Sequence, residues 1–266
     1  MARAWQPSAF IQASVGVHAA AGAAVLLAPY LWPQALAAVA ADQALLTLAG
    51  LWPRSRLLGP NLNRLPAPAA ARGLVALTID DGPDAEVTPR VLDLLDHVDV
   101  KATFFCIGAR VLRHAALARD IVARGHAIEN HGQRHLTFFA ACGPQRMAAE
   151  IAGAQAAIAD TVGRAPRFFR PTAGLRSPFL EPILCRLDLR LASWTRRAFD
   201  TRCGDPARVF RRLTRNLAGG DILLVHDGHS ARTPAGSAVI LDVLPRLLTT
   251  LRQEGLHPAI LDAAAA

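Results

Sequence analysis

Lysine is all but missing from this chain. Lys101 is the only one in 266 residues, and a net charge of +8 rests almost entirely on arginine. The arginines form no cluster with aromatics of the kind that reads bases, which argues against a nucleic-acid partner and for a scattered, solvated surface. Such a surface also suits the anionic head groups of a membrane. Cysteine is scarce too. Cys106, Cys142, Cys185 and Cys203 show no Cys-x-x-Cys spacing, which excludes a disulfide framework in a chain of this size and points to a reducing compartment. There is no repeat of fixed period, and no low-complexity tract beyond Ala263–Ala266.

Charge is missing from the front of the chain. From Ala4 to Ala41 there is no Asp, Glu, Lys or Arg, and between Arg3 and Arg54 the only charge is Asp42. This is where the 52% hydrophobic content accumulates. A membrane span takes roughly 20 apolar residues, so two fit, at about 9–31 and 34–52. Pro33, beside Trp32 and Tyr30, stands where a tight turn and interfacial aromatics would fall. A cleaved signal peptide has an apolar region of only about 7–15 residues, which this one exceeds. The rival reading is a pair of buried, Ala-rich helices packed on the rest of the protein. Asp42-Gln43 leans that way, because a lone carboxylate at bilayer depth is costly. Length favours the membrane hairpin. Arg3 precedes it and Arg54, Arg56 and Arg64 follow it. Two spans would therefore leave both ends, and the remaining chain, on the cytoplasmic side of a bacterial inner membrane. A single span would put that remainder outside.

Residues 53–72, with Pro53, Pro60, Pro66 and Pro68, read as a linker. Strand and helix patterns then alternate through residues 73–262. Expected strands are Leu74–Ile79, Ala102–Cys106, Ala127–Glu129, Arg167–Phe169, Leu189–Ser193, Ile222–Val225 and Pro258–Leu261. Expected helices are Thr88–His97, Ala109–Arg124, Pro144–Val162, about 178–186, about 206–217 and 237–254. About seven β-then-α units without hairpin signals imply parallel strands with crossover helices. The fold class is α/β, a barrel or a doubly wound sheet.

Five separated pieces carry residues suited to metal-assisted amide hydrolysis. Asp80 and Asp81 follow the first strand at its C-terminal end, where reacting groups gather in barrels. Neighbouring acids repel when both ionise, so a metal on one leaves the other as a base. An Asp-Asp-Gly-Pro surface turn is the plain alternative. His131 and His135, four apart, place both rings on one side if they share a helical turn. Gly132 excludes the His-Glu-x-x-His zincin pattern. Two histidines and one carboxylate, with positions left open, make a catalytic rather than a structural zinc set. Arg170 opens Arg170-Pro171-Thr172-Ala173-Gly174 and can pair with the free aspartate. His226 ends the strand Ile222–Val225, and Asp200 as its partner would raise its pKa and favour an acid form. Asp227 and His229 stand close enough in sequence to compete for that assignment.

Together the set Thr-Ile-Asp-Asp-Gly-Pro, His-x-x-x-His, Arg-Pro-x-x-Gly, Trp…Asp and Leu-x-His, in that order, resembles the polysaccharide deacetylase family (NodB-homology, carbohydrate esterase 4). The likeness covers about residues 73–262. It implies a distorted (β/α) barrel with fewer than eight units, here preceded by an N-terminal apolar helical hairpin. It implies a divalent metal, usually zinc, on Asp81, His131 and His135, with Asp80 as base and His226 as acid. Arg170 would orient Asp80, Asp200 would tune His226, and Leu224 would line the pocket for the acetyl methyl. A backbone N–H of Thr172 or Ala173 would hold the oxyanion. The implied substrate is an N-acetylated amino-sugar glycan, and the apolar front adds the expectation that it is lipid-linked or met at the membrane. Three of the motifs depart from the family pattern, at four positions. Gly132 stands where Ser or Thr is usual, Ala173 replaces an aromatic, and Arg197 and Thr201 replace an acid and a tryptophan. The catalytic groups remain while the walls that grip a polymer are altered.

Overall fold

The computed structural model describes residues 3–265. Eight strands form one parallel sheet, β1 Leu74–Asp80, β2 Thr103–Cys106, β3 Ala127–Asn130, β4 Phe168–Phe169, β5 Arg190–Leu191, β6 Arg196–Arg197, β7 Ile222–His226 and β8 His257–Ala259. Seven run in the spatial order β5-β4-β3-β2-β1-β7-β6. The eighth pairs with the start of β1, through Leu74 to Ala76. Ala76 also pairs with Ile222 of β7, so β8 lies on the opposite edge of β1, the one that β2 takes further along. β5 and β6 end the path without meeting. The barrel of the sequence reading is thus an open half-barrel, consistent with the seven-unit expectation.

Both faces of the sheet are covered, which is why its strands read as unbroken apolar runs. Successive side chains of β1 alternate between faces. Val75, Leu77 and Ile79 join the cluster formed with the crossover helices, including Val91, Leu95, Leu244 and Leu247. Ala76 faces the concave side with Phe105, Phe168, Leu224 and Trp194. That concave side is plugged from below. Leu65 and Ala69, within 53–72, and Leu261 and Ala264 near the C-terminus fill it. The proline-rich stretch is therefore packed against the sheet, and Asn61 accepts a hydrogen bond from the Ser193 hydroxyl at 2.9 Å.

Helices α1 Ala9–Leu27 and α2 Trp32–Leu51 form the apolar hairpin. Both are long and apolar enough to cross a membrane. The turn comes at Ala28–Leu31, just before the expected position, and Pro33 instead sits in the first turn of α2, where a missing N–H costs nothing. Ser14 is the only buried residue of α1, and its hydroxyl donates to Asp42 at 2.7 Å. The lone carboxylate is thus turned inward between the two helices. At the base of α2, Gly50 meets the body of the protein. Its carbonyl accepts from the Arg176 N–H at 3.2 Å, and a Cβ there would collide with the Arg176 carbonyl.

The expected helix Ala109–Arg124 is two helices, Gly108–Arg113 and Ala115–Ala123, broken where His114 leaves helical geometry. The chain after β8 turns into a short helix, Leu261–Ala265, rather than extending the strand.

Candidate active site

The C-terminal edge of the sheet gathers the singled-out residues. Asp80 closes β1 and is the direct cross-strand partner of His226, which closes β7. Its other neighbour, across β2, is Phe105. Arg170 follows β4, is fully buried, and stacks its guanidinium 3.9 Å from the centre of the Phe105 ring. It donates to Asp80 Oδ1 at 2.6 Å, to Thr78 Oγ1 at 2.9 Å, and to the carbonyls of Ser193 at 2.9 Å and Ala192 at 3.3 Å. A cation fixed on so many sides fixes its carboxylate in turn.

Asp81 leaves the sheet with φ of +77°. This is a left-handed backbone unusual for a residue with a Cβ, of the kind that clusters at functional sites. Its Oδ1 is buried and takes no hydrogen bond. Two imidazole nitrogens face it, His135 Nε2 at 3.1 Å and His131 Nε2 at 3.2 Å. The tautomer of His131 follows from its other side, because Nδ1 lies 2.7 Å from the Arg170 carbonyl. An oxygen there only accepts, so Nδ1 carries the hydrogen and Nε2 presents its lone pair. Burial pushes the pKa of Asp81 up, but the imidazoles of His131 and His229 outweigh it and hold the group well below the usual range. Burial likewise opposes charge on His131, yet the charges of Asp80 and Asp81 raise its pKa. His135 is pushed down to about 4 by burial and by the neighbouring His131.

The histidine pair does not lie on a helical turn. His131 to His135 form a loop in which Gly132 and His135 have φ of +82° and +56°. The rings still come within 5.0 Å of each other, because the loop is pinned at its centre. Glu150 takes the Arg134 N–H at 2.9 Å and the Arg134 Nε–H at 2.7 Å. The positive φ accounts for Gly132, since a β-branched or hydroxylated residue would be strained there. Asn130 Oδ1, accepting the Gly132 N–H at 2.9 Å, supplies the brace that a side-chain hydroxyl would otherwise give.

His226 and Asp200 form the second half of the site. Asp200 is fully buried and accepts from the His226 backbone N–H at 2.7 Å and from Nδ1 at 2.8 Å. Burial alone would lower the pKa of His226, and the Asp200 charge overrides it, raising it to about 9. Leu224 lies two residues upstream on the same face and is buried with Phe105 and Trp194 beneath the cleft. Thr172 and Ala173 form a tight turn in which Ala173 has φ of +56°. Their N–H groups have no backbone partner among the described residues.

Asp227 stands apart from this constellation. It accepts from the Thr88 hydroxyl and from the Gly228 N–H, with burial raising its pKa to about 6. His229, which the sequence offers only as a competitor of His226, is brought by the fold to Asp81 Oδ2 at 3.0 Å. Arg110 donates to its Nε2 at 3.1 Å, so Nδ1 holds the hydrogen and gives it to Asp81. Its place three residues after His226, in the turn that leaves β7, was the available signal. Ligand atoms of Asp81, His135 and His229 lie within 4.8 Å of one another. With His131 Nε2 beside them, the orphaned Asp81 Oδ1 and the Nε2 atoms of His131 and His135 make a donor set suited to a divalent cation.

This pattern of residues is matched outside the chain. The polysaccharide deacetylase family model matches residues 68–192. A chitooligosaccharide deacetylase of Bradyrhizobium is 33% identical over 156 residues, covering 58% of this chain and 71% of the relative. The chain belongs to the polysaccharide deacetylase family. Another relative, a peptidoglycan-N-acetylglucosamine deacetylase of Bacillus cereus, is 29% identical over 184 residues, 68% of this chain and 83% of that protein. Among solved structures, a CE4 family pseudoenzyme from Bacillus anthracis superposes with a TM-score of 0.69 at 22% identity, over 78% of this chain and 69% of the other. At that identity the likeness speaks for the fold. None of these alignments reaches over the full length of this family member.

Proposed function

We propose that the protein is a metal-dependent carbohydrate N-deacetylase. It hydrolyses the N-acetyl, or another N-acyl, group of an amino sugar in a polysaccharide or a lipid-linked envelope glycan. The observation that carries this reading is the meeting of Asp80, Asp81, His131, His135, Arg170, Asp200 and His226 at one sheet edge. Relatives named for deacetylating peptidoglycan and chitooligosaccharides support the substrate class.

Asp81, His131 and His135 would hold the cation, zinc by its fit to two imidazoles and a carboxylate, with Asp81 aimed further by His229. A divalent metal held there would supply Lewis acidity, making water a stronger acid by several pKa units, from about 15.7 towards 7. Asp80, aimed by the hydrogen bond from Arg170, accepts the proton of the attacking water. The free N–H groups of Thr172 and Ala173 are placed to take negative charge on the amide oxygen. His226, charged through Asp200, hands its Nε2 proton to the nitrogen as the C–N bond breaks. The products are a carboxylate and a free amine.

Residues 1–52 are read as a membrane hairpin, residues 53–72 as the connection, and residues 73–262 as the catalytic domain facing the cytoplasm. The arginines on both sides of the hairpin and four unpaired cysteines support this side. The rivals are a non-catalytic, membrane-associated sugar-binding relative, to which a pseudoenzyme of this fold gives substance, and a metal hydrolase of a different amide or ester. Retention of Asp80, Asp81, His131, His135, Arg170 and His226, the proposed metal-holding and catalytic groups, weighs against the first.

The test is acetate release from N-acetylated oligosaccharides and a lipid-linked N-acetylamino sugar by metal-stripped protein, with and without zinc. Release restored by zinc is expected. Stoichiometric zinc without release from any substrate would favour the binding protein.

A further inference from the structure

Next to the site, outside the edge strand β6, lies a pocket of about 540 Å³. It is lined by Trp52 and Arg54 at the foot of the hairpin, by Trp194 and Arg197, and by Arg212 and Arg215 across from them. Arg196 also lines it but is committed to Asp221 at 2.8 Å. No carboxylate lines this space. Four further guanidinium groups face it, and none has an ion-pair partner among the described residues. Arg54 and Arg215 have no side-chain hydrogen bond either. Arg197 Nε is buried without a partner, and burial lowers its affinity for its proton, opposed by the charges of Asp80 and Asp200. Aromatic faces hold these cations in place. Arg197 lies 5.3 Å from the Trp194 ring and 4.9 Å from Phe199, and Arg212 lies 5.3 Å from Phe199.

Like charges gathered in a partly enclosed space whose lining holds no carboxylate raise its potential and favour an anion. Planar guanidinium forks suit phosphate oxygens in particular. Position adds the second argument. Trp52 directly follows α2, so this pocket lies where the chain would leave a bilayer, at head-group depth. Arg197 and Trp194 meanwhile connect it to the catalytic side, since Trp194 also lies 5.8 Å from the Arg170 guanidinium. We propose that the pocket binds the phosphate or diphosphate ester at the end of the glycan substrate, placing the N-acyl sugar against Asp80 and His226. The altered fourth motif, with Arg197 where an acid is usual, then becomes a determinant of substrate charge. This deepens the deacetylase reading and rests on it for the identity of the substrate.

The probe is inorganic pyrophosphate, titrated calorimetrically into full-length protein in detergent micelles. Arg54→Ala combined with Arg215→Ala should weaken binding at least ~10-fold, and the corresponding pair of lysines should restore most of it. Both positions are exposed and outside the catalytic groups, so folding is not at stake. Equal affinity in the alanine variant, or no binding to the wild type, would overturn the proposal. A second arm compares KM for acetate release from three substrates, an N-acetylamino sugar on a polyprenyl diphosphate, one on a nucleoside diphosphate, and an unphosphorylated oligomer. The alanine variant should raise KM for phosphorylated substrates alone, and whichever carrier the wild type prefers identifies the source of the phosphate. Identical effects on all three would defeat the proposal. Pyrophosphate binding by the wild type that is lost in the alanine variant, with no acetate released from any substrate, would retain the anion site and reject the deacetylase.

Discussion

Asp200→Asn is the substitution whose consequence can be worked furthest. The Asp200 carboxylate holds the His226 Nδ1–H at 2.8 Å with no solvent access, and His226 reaches a pKa of about 9. At pH 7.5 roughly 97% of such a histidine is protonated, against roughly 9% at the ordinary value of about 6.5. The gap is on the order of 3 kcal/mol in favour of imidazolium. An amide in place of the carboxylate removes the charge and leaves burial as the governing effect, so the pKa should fall to 6.5 or below. Protonated acid at pH 7.5 then drops about 10-fold, and with the weakened geometry kcat should fall by roughly 10- to 100-fold. The alkaline limb of the kcat profile should move down from near 9. Direct titration of the His226 ring by NMR in metal-free protein reads the same shift without relying on turnover. A His226 that still titrates near 9 in Asp200→Asn would refute the reasoning. Stability carries the same sign. Because the folded value is raised, the contribution of the pair is complete below about pH 6.5 and is lost as pH climbs through about 9.

Other outcomes follow from the same geometry. Asp80→Asn should retain one metal per chain while kcat falls at least ~100-fold, whereas His131→Ala should lose both, as elemental analysis alongside acetate release will tell. An Asp80→Asn enzyme of undiminished rate would remove Asp80 from its role. Arg170→Met leaves a buried carboxylate without its cation and should cost about 3–5 kcal/mol, read as a lowered denaturant midpoint at pH 7. An unmoved midpoint would mean that water replaces the guanidinium. The full chain should pellet with membranes and come free in detergent but not in high salt, since a spanning hairpin is held by apolar burial rather than charge. Recovery in the salt wash would contradict a spanning hairpin.

The sequence by itself carried the parallel α/β order and the identity of the residues that meet at the site. Short apolar runs and helical patterns are local, and acids or histidines at strand ends announce which edge will hold them. It also carried the two apolar helices, because a run of that length with Asp42 as its only charge is a local feature. Tertiary structure decided what depends on residues far apart. The histidine pair works from a loop, where left-handed backbone at Gly132 and His135 and the grip of Glu150 do what a helical turn was expected to do. Such conformations come from long-range contacts, which periodicity does not encode. The proline-rich stretch read as a free connection, yet Leu65 and Ala69 plug the concave face of the sheet. His229 became a partner of Asp81 only when the turn after β7 folded back over β1. The arginines, scattered along the chain, form a cluster only because α2, β6 and the following helix converge. Charge density is a property of space rather than of sequence spacing.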